Sequence, residues 1–439
     1  MSGHRFPPGF VFGVSAAAYQ IEGAYREDGK GESIWDRFVH VPGNVEGGDT
    51  GDIACDHYHR WEEDLDLIRD AGLKAYRFSV AWPRLFPQGT GAPNEAGFSF
   101  YERLIDGCIE RGIEPWPCLY HWDYPQALED RGGWTAPDSV EWFVGYARAF
   151  MQRFGGRLRH VVLFNEPSMF CALGYLRGLH APGKASPQAW AAAVLHVNLA
   201  TAAAAWMVKR EFPDVQVGTV LALNLILPAS TAPDDVAAAL QSDTIFNDAF
   251  LLPATQGRWP ESLADVMPAL PAEALLAPLD FIGVNHYTRI RVAADPDQPG
   301  SGKIAKNPQG MAVTAYGWEI YPDGLREVLH RVRAAAPSLP LYVTENGGAF
   351  NDVFESDGRI VDQERIDLIA GYVAALGRAI DEGCDVNGYF VWSLLDNFEW
   401  HHGYQKRFGL VHVDFETLKR TPKASYFWYA ALAGGMALT

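Results

Sequence analysis

The sequence is poor in cysteine and in basic residues, and it lacks long apolar runs. Its five cysteines form no CxxC pair, which disfavours a disulfide framework or a structural zinc and predicts buried free thiols in a reducing compartment. Its 36 basic residues stand against 54 acidic ones, and the formal charge of −18 argues against nucleic acid or an anionic membrane as a partner. No segment approaches the roughly 18 uninterrupted apolar residues that span a membrane.

Targeting, nucleotide-binding and metal-binding motifs are also absent. The N-terminus, MSGHRFPPGF, has no basic segment followed by a long apolar one, so no signal peptide is expected and we predict a cytoplasmic protein. No GxGxxG or Walker sequence occurs, and no cofactor is predicted. The pairs His57 and His59, and His401 and His402, lack further ligands at metal spacing, so no metal is predicted.

Two apolar runs in this sequence end in a glutamate. Residues 160–168 read HVVLFNEPS and residues 339–347 read LPLYVTENG. In both, hydrophobic sequence gives way abruptly to polar residues, as it does where a buried strand delivers a side chain to a loop. Pro167 prevents the first run from continuing as a central strand. Glu166 and Glu345 are 345 − 166 = 179 residues apart, so only the fold can bring them together.

Apolar strands alternate with amphipathic helices over nearly the whole chain. Eight such repeats predict an α/β fold, a (β/α)8 TIM barrel that forms a single domain over residues 1–439. The alternative, a doubly wound open sheet, would usually show a glycine-rich phosphate loop. A polar, glycine-rich insertion is expected near residues 293–311. The predicted strands are 9–18, 73–80, 114–120, the run from 160, 215–223, 280–284, the run from 339 and 386–394; the predicted helices are 59–71, 100–111, 139–154, 187–212, 235–252, 323–335, 362–382 and 421–431.

Polar residues follow almost every predicted strand, and long loops follow strands one and four. All strand ends of a barrel open onto one face, so we expect long active-site loops at the C-terminal face of the strands. Paired carboxyl groups there suit glycoside cleavage, because one protonates the leaving oxygen while the other attacks or activates water. Arg77, near the end of strand two, would keep Glu345 ionised, and that charge would raise the pKa of Glu166.

Eight segments, taken together, carry a family resemblance. They are FVFGVSAAAYQIEGA, YRFSVAWPR, HWDYPQAL, FNEP, VNHYT, GWEIYPDGL, VTENG and WSLLDNFEWHHGYQKRFGLVHVD, in this order and at strand ends. From Phe10 to about Ala431 the chain resembles glycoside hydrolase family 1, the β-glucosidase family. The resemblance implies a retaining β-glycosidase acting on small β-glucosides or cello-oligosaccharides, with Glu166 as acid/base and Glu345 as nucleophile.

The same resemblance implies the other site residues. Arg77, Asn285 and Tyr287 would support the nucleophile, and Trp122 and Trp318 would lie on the outer, aglycone side. Asn165 would hold the 2-hydroxyl of the sugar. The implied glycone pocket consists of Gln20, His121, Asn165, Trp392, Glu399 and Trp400.

Two features narrow the substrate class. Relatives that act on 6-phosphorylated sugars carry a serine and a lysine within the stretch that reads NFEW here, and Glu399 would repel a phosphate dianion. Glu166 stands where plant-type thioglucosidases have glutamine, which favours an O-glycosidase. Leu163 and Ser168 differ from the threonine and tryptophan common in relatives, so the aglycone preference stays open. The alternatives are a β-galactosidase or β-fucosidase with broad glycone specificity and a non-catalytic sugar-binding relative; the oligomeric state is left open.

Overall fold

Eight parallel strands form a closed barrel in the computed structural model, which describes residues 6–296 and 302–436. Each strand pairs with its sequence neighbours, and the first pairs with the last, Val11 opposite Gly388 and Ser15 opposite Trp392. The predicted TIM barrel is therefore confirmed. Strands β1 to β8 are Val11–Ser15, Ala75–Ser79, Glu114–Tyr120, His160–Asn165, Gln216–Ala222, Phe281–Asn285, Leu341–Asn346 and Val386–Trp392.

Amphipathic helices follow the strands and cover the barrel. In Asp323–Ala335, for example, Leu325, Val328, Leu329 and Val332 recur at intervals of three or four residues and are all buried. The α-helices are Ala18–Ile21, Ile34–Val39, His57–Asp70, Trp82–Leu85, Glu95–Glu110, Gln126–Glu129, Ser139–Phe154, Pro167–Cys171, Pro187–Glu211, Pro233–Asp243, Ala249–Gln256, Ala272–Leu275, Asp323–Ala335, Gln363–Asp381 and Ala424–Ala433.

The longest of these helices, Pro187–Glu211, is rich in alanine. Pro187 occupies its first turn, and the Ser186 hydroxyl accepts a hydrogen bond from the Ala189 N–H at 3.2 Å, which caps the helix. Among the described helices it alone is long and apolar enough, by length and composition, to cross a membrane, but 67% of its most apolar stretch is buried inside the fold. It packs against the helix Ser139–Phe154, as a core helix does.

Aromatic side chains fill the barrel below the strand ends. The ring of Trp116 lies 5.4 Å from Phe281, 4.9 Å from Tyr342 and 5.3 Å from Phe390, measured between centroids. Gly218 makes room for this plug, because a Cβ there would lie 2.4 Å from the Phe281 ring. The lower barrel is thus closed by an apolar plug, and polar side chains collect at the C-terminal ends of the strands.

The insertion expected near residues 293–311 is partly regular structure. Arg289–Ala294 pairs in parallel with Leu225–Pro228 and antiparallel with Gly302–Ile304, forming a three-stranded sheet outside the barrel. Val292 packs on the helix Pro233–Asp243, which supplies the apolar contacts that the sequence did not reveal. Residues 297–301, which belong to this insertion, lie outside the described residues.

Two helix predictions were wrong in detail. The helix predicted over 235–252 is divided by a π-helical turn, Thr244–Asp248. The last helix begins at Ala424 and not at residue 421, because Arg420–Pro422 pairs antiparallel with Val411–Val413. A further short hairpin joins Val353–Phe354 to Ile360–Val361. All five cysteines are buried and free, as predicted.

Candidate active site

A pocket of about 240 Å³ opens at the C-terminal ends of the barrel strands. Strand ends and the loops after them bring its walls together from segments up to 408 − 121 = 287 residues apart in the chain. Ten residues predicted from the sequence line it: His121, Trp122, Glu166, Asn285, Tyr287, Trp318, Glu345, Trp392, Glu399 and Trp400.

Glu345, on β7, is held by two strong donors. The Arg77 guanidinium donates to its Oε1 at 2.6 Å, and the Tyr287 hydroxyl donates to its Oε2 at 2.6 Å. Arg77 is fully buried, so its charge acts on the carboxylate with little screening by water. Both oxygens of Glu345 therefore have a fixed direction, and the carboxylate is oriented by its neighbours.

Glu166 follows β4 in a left-handed backbone conformation, with φ of 49°. It occupies the N-cap position of the short helix Pro167–Cys171, which begins at the proline that ends the strand, but its side chain makes no cap hydrogen bond. A non-glycine residue in this region carries a backbone cost of about 1–3 kcal/mol, and such residues cluster at functional sites. The Glu166 Oε1 accepts a hydrogen bond from the Asn285 side-chain amide at 2.8 Å.

The two carboxyl groups differ in their protonation. Burial, and then the charge of Glu345, raise the pKa of Glu166 to about 8. Burial also raises the pKa of Glu345, contrary to the expectation that Arg77 would hold it low, but Arg77 and Tyr287 oppose that rise. Since Glu345 has the cation and the stronger donors, a single proton shared by this pair resides on Glu166.

Three predicted residues lie behind the pocket wall. Asn165 accepts hydrogen bonds from Arg77 at 2.5 Å and from the Asn285 amide at 3.0 Å, and its own amide lies 3.0 Å from His121 Nε2. The other two predicted residues behind the pocket wall are Arg77 and Gln20. Arg77 and Asn165 join the ends of β2, β3, β4 and β6, whereas Gln20, after β1, bonds to the loop after β8.

The far end of the pocket carries Glu399 on the loop after β8. The Gln20 amide donates to the Phe398 carbonyl at 2.8 Å and approaches Glu399 at 3.4 Å. Burial, then Glu345 and Glu166, raise the pKa of Glu399 to about 8. Gln20 Oε1 and His121 Nδ1 are buried without a hydrogen-bond partner among the described residues. These atoms can bind the hydroxyl groups of a polar ligand.

Flat aromatic faces border this polar end. Trp392 lies nearly parallel to His121, with centroids 5.8 Å apart and planes 26° apart, and Trp122 packs on Trp400 at 4.5 Å. The Trp122 indole N–H also donates to the Asn165 carbonyl at 3.0 Å. A sugar could stack its apolar face on these rings and place its hydroxyl groups against the polar side chains.

The outer pocket contains residues that the sequence reasoning missed. Trp318 stacks on Tyr316 at 4.0 Å and lies 5.9 Å from Phe408, and His180 Nε2 lies 2.9 Å from His401 Nδ1. Tyr316 directly precedes the GWEIYPDGL segment, which is a signal that could have found it. The further missed residues are Met169, Leu173, Ala222, Asn224, Thr288, Ile290 and Ile304.

One cluster outside the pocket has metal-type ligands. Single ligand atoms of Asp352, Asp396 and His412 lie within 4.8 Å of one another. The Lys423 ammonium lies 2.8 Å from Asp352 and 2.9 Å from Asp396, and Arg407 lies 2.8 Å from Asp396. These cations already balance the carboxylates, so the group is an ion-pair network that anchors the loop after β8.

Comparisons with known proteins agree with this geometry. Beta-glucosidase A from Thermotoga maritima is 42% identical over 438 residues, 98% of both chains. A bifunctional beta-D-glucosidase/beta-D-fucosidase from Bifidobacterium breve is 40% identical over 453 residues, 97% of both chains. The solved structure of a beta-glucosidase from Thermotoga maritima in complex with glucoimidazole superposes with a TM-score of 0.93 at 42% identity, covering 98% of this chain and 99% of that one. Residues 2–435 match the model of Glycosyl hydrolase family 1, and the chain belongs to that family.

Proposed function

We propose that this protein is a retaining β-glucosidase that removes terminal β-glucosyl residues from small β-glucosides. The observation that carries the proposal is that the two carboxyl groups of the pocket have different hydrogen-bond partners. Glu345 has a guanidinium and a phenol as donors, whereas Glu166 has one amide and a pKa of about 8. This inequality assigns the nucleophile to Glu345 and the acid to Glu166.

In the first step, Glu345 attacks the anomeric carbon while Glu166 gives its proton to the departing oxygen. The covalent glucosyl-enzyme then carries no charge on Glu345, so the repulsion that raised the pKa of Glu166 is lost. Glu166 can now accept a proton from water, whose oxygen attacks the same carbon and releases glucose with its configuration retained. Each carboxyl group thus returns to its starting state.

Arg77 and Tyr287 act in both steps. They bind the ionised form of Glu345, so they favour the free carboxylate as the leaving group of the second step. Asn285 donates to Glu166 and, through Asn165, is linked to Arg77. The acid and the nucleophile are therefore positioned by one connected set of hydrogen bonds.

A neutral sugar fits the far end better than a phosphorylated one. Glu399, Gln20 and His121 offer acceptors and donors for hydroxyl groups, and Trp392 offers a flat face. A phosphate dianion would meet the carboxyl group of Glu399 and no lysine or arginine among the residues that line the pocket in the described structure. These contacts favour an unphosphorylated glycone.

Replacement of the nucleophile tests the assignment. Glu345→Gly should abolish hydrolysis of an activated aryl β-glucoside, and added azide should restore turnover by entering the space of the lost carboxylate and forming the α-glucosyl azide. Glu355→Gly, at an exposed site outside the pocket, is the matched control and should hydrolyse normally without azide. A β-configured azide product would overturn retention, and absence of rescue in a folded variant would remove Glu345 from the nucleophile's role.

Broad glycone specificity is the second candidate. It is favoured by the similarity to a relative named a bifunctional glucosidase and fucosidase. Glucose, galactose and fucose differ at O4 and O6 more than at the reacting carbon, so the same carboxyl groups could act on all three. Comparing kcat/KM for the aryl glucoside, galactoside and fucoside decides between them, and failure to cleave any while glucose still binds would favour a non-catalytic relative.

The proposed location is the cytoplasm. Five buried free thiols are compatible with a reducing compartment, where they would remain unpaired. Assaying the β-glucosidase activity of fractionated cells tests this, and activity confined to the medium would contradict it.

A further inference from the structure

A second cavity lies beside the pocket, between the segment after β4 and the three-stranded sheet. It has a volume of about 390 Å³, and we call it the side chamber. Its neutral polar side chains are Asn224 and Ser242, while the exposed Arg177 and Lys303 also border it. Its apolar walls include Leu173, Leu179, Ile226, Phe246, Ile290 and Val292.

The side chamber and the pocket adjoin each other. Five residues line both: Met169, Leu173, Asn224, Ile290 and Ile304. The aglycone of a ligand whose sugar lies against Glu166 and Glu345 is therefore close enough to the side chamber to extend over this shared wall into it.

The side chamber displays apolar side chains that no part of the described protein covers fully. Leu179 is 60% exposed and Ile304 is 75% exposed, and Ile226, Phe246 and Ile290 are half-buried. Isolated exposed apolar residues are ordinary, but several around one concave surface are typical of a binding site. Burying them under a ligand would remove both surfaces from water.

We propose that the side chamber binds the apolar tail of the aglycone, so that the enzyme prefers alkyl β-glucosides to cello-oligosaccharides. This inference rests on the proposed function, because it takes the sugar to be bound at Glu166 and Glu345. A second glucose in the side chamber would bring several hydroxyl groups to walls that offer Asn224 and Ser242 as neutral partners. Unpaired buried hydroxyls are costly, whereas an alkyl chain needs no partners.

Tail binding should act on the first chemical step alone. In that step the bond between the anomeric carbon and the aglycone oxygen breaks, Glu166 protonates that oxygen, and the alcohol with its tail departs. The glucosyl-enzyme that remains is the same for every substrate. Tail length therefore changes kcat/KM, while kcat converges on one value once hydrolysis of the glucosyl-enzyme limits the rate.

A series of n-alkyl β-D-glucosides, from methyl to octyl and below micelle-forming concentrations, tests the proposal. We expect kcat/KM to rise up to about fourfold for each methylene that enters the side chamber, then to level off, and to exceed the value for cellobiose at the longest tails. Leu179→Glu and Phe246→Ser should flatten the series. Leu240→Glu is the matched control, because Leu240 is 66% exposed outside the side chamber, and it should keep the wild-type slope.

The outcomes separate the two proposals. If methyl glucoside is cleaved but the series is flat, or if the slope survives both side-chamber variants, the tail site is overturned and the proposed function stands. If no glucoside is cleaved, the proposed function fails. Calorimetric binding of methyl and octyl 1-thio-β-D-glucosides then tests the side chamber alone, and equal dissociation constants for the two would overturn it.

Discussion

The inner and outer halves of the pocket are built by different interactions. In the inner half, hydrogen bonds that run through Arg77 and Asn285 join Glu166 to Glu345, and the Gln20 amide approaches Glu399. The outer half consists mainly of packed rings and aliphatic side chains, with Trp318 on Tyr316 as its closest stack and the His180–His401 contact as a polar exception; the others are Met169, Leu173, Ile290, Ile304 and Phe408.

This contrast separates the groups that carry out the reaction from the groups that select the aglycone. Hydrogen bonds between charged and buried groups fix direction as well as distance, which the two-step reaction requires. Contacts between apolar side chains are not directional, so the outer half can exchange residues and still bind an aglycone. Substitutions in the inner half should therefore change the rate with every substrate, and those in the outer half should change the order of substrates.

The largest effect should come from Glu166→Gln. Loss of the acid should lower kcat/KM for an alkyl β-glucoside about 10²- to 10⁴-fold. The loss should be smaller for an aryl glucoside whose leaving group needs no proton. Equal losses with both substrates, measured by steady-state kinetics, would contradict the role of Glu166 as acid.

The pH profile sharpens the same point. The first step needs protonated Glu166, so kcat/KM should fall as the pH rises through about 8. Glu166→Gln should remove this fall. Glu399 also has a raised pKa of about 8, so Glu399→Gln is the matched control, and its profile should keep the alkaline fall. The reverse pattern would assign the titration to Glu399.

Tyr287→Phe should have the next largest effect. It removes the hydroxyl that donates to Glu345 at 2.6 Å but keeps the ring. We expect kcat to fall on the order of 10²-fold with all substrates, as when one positioned donor is removed elsewhere. Tyr316→Phe, in the outer half, is the comparison and should leave kcat nearly unchanged; a similar loss in both would erase the contrast between the halves.

Gln20→Leu should act on sugar recognition with a moderate effect. It removes the amide that joins the segment after β1 to residues 397–399. The sugar hydroxyl groups that this amide would bind are then left without a partner. We expect kcat/KM to fall by about 1–3 kcal/mol, or roughly 5- to 150-fold. Kinetics with glucoside, galactoside and fucoside, each with two different aglycones, measure it, and a change confined to one aglycone would argue against a glycone role.

Trp318→Leu should have the smallest effect. Loss of its stacking surface is worth about 0.5–1.5 kcal/mol, which is roughly a two- to twelvefold change in kcat/KM. The change should be confined to substrates with an aryl aglycone. Trp206→Leu, at a tryptophan 45% exposed outside the pocket, should change nothing. An equal loss with methyl glucoside would show that Trp318 contributes to the inner half.

Much of the barrel and of the inner half could be predicted from sequence. Strands Glu114–Tyr120 and helices Ser139–Phe154 and Asp323–Ala335 were predicted at their observed bounds, because their apolar periodicity is strong and their ends are marked by glycine, proline or charge. Glu166 and Glu345 were found because an apolar run stops at each. Their proximity follows from the barrel, in which all strands end on one face.

Trp318 was predicted, but most of the outer half escaped prediction for a physical reason. Ile226 and Ile290 lie on short accessory strands whose partners are distant in sequence, and a run of four to six residues shows little periodicity. The raised pKa of Glu345 was missed because burial opposes the charge of Arg77, and burial depends on the whole fold. Residue types therefore indicated which groups meet, while the surrounding packing set their protonation.

The closure of the barrel by its first and last strands has a consequence for synthesis of the protein. Gln20 leaves the ribosome early, yet its hydrogen-bond partners are Asn397, Phe398 and Glu399. Until this last part of the chain has been synthesised, β1 lacks one of its neighbouring strands, and the pocket lacks the end that contains Glu399. A nascent chain shorter than this is inert, and its unpaired strand edges expose it to aggregation or to chaperones. The active site can therefore be completed only after nearly the whole chain has been synthesised.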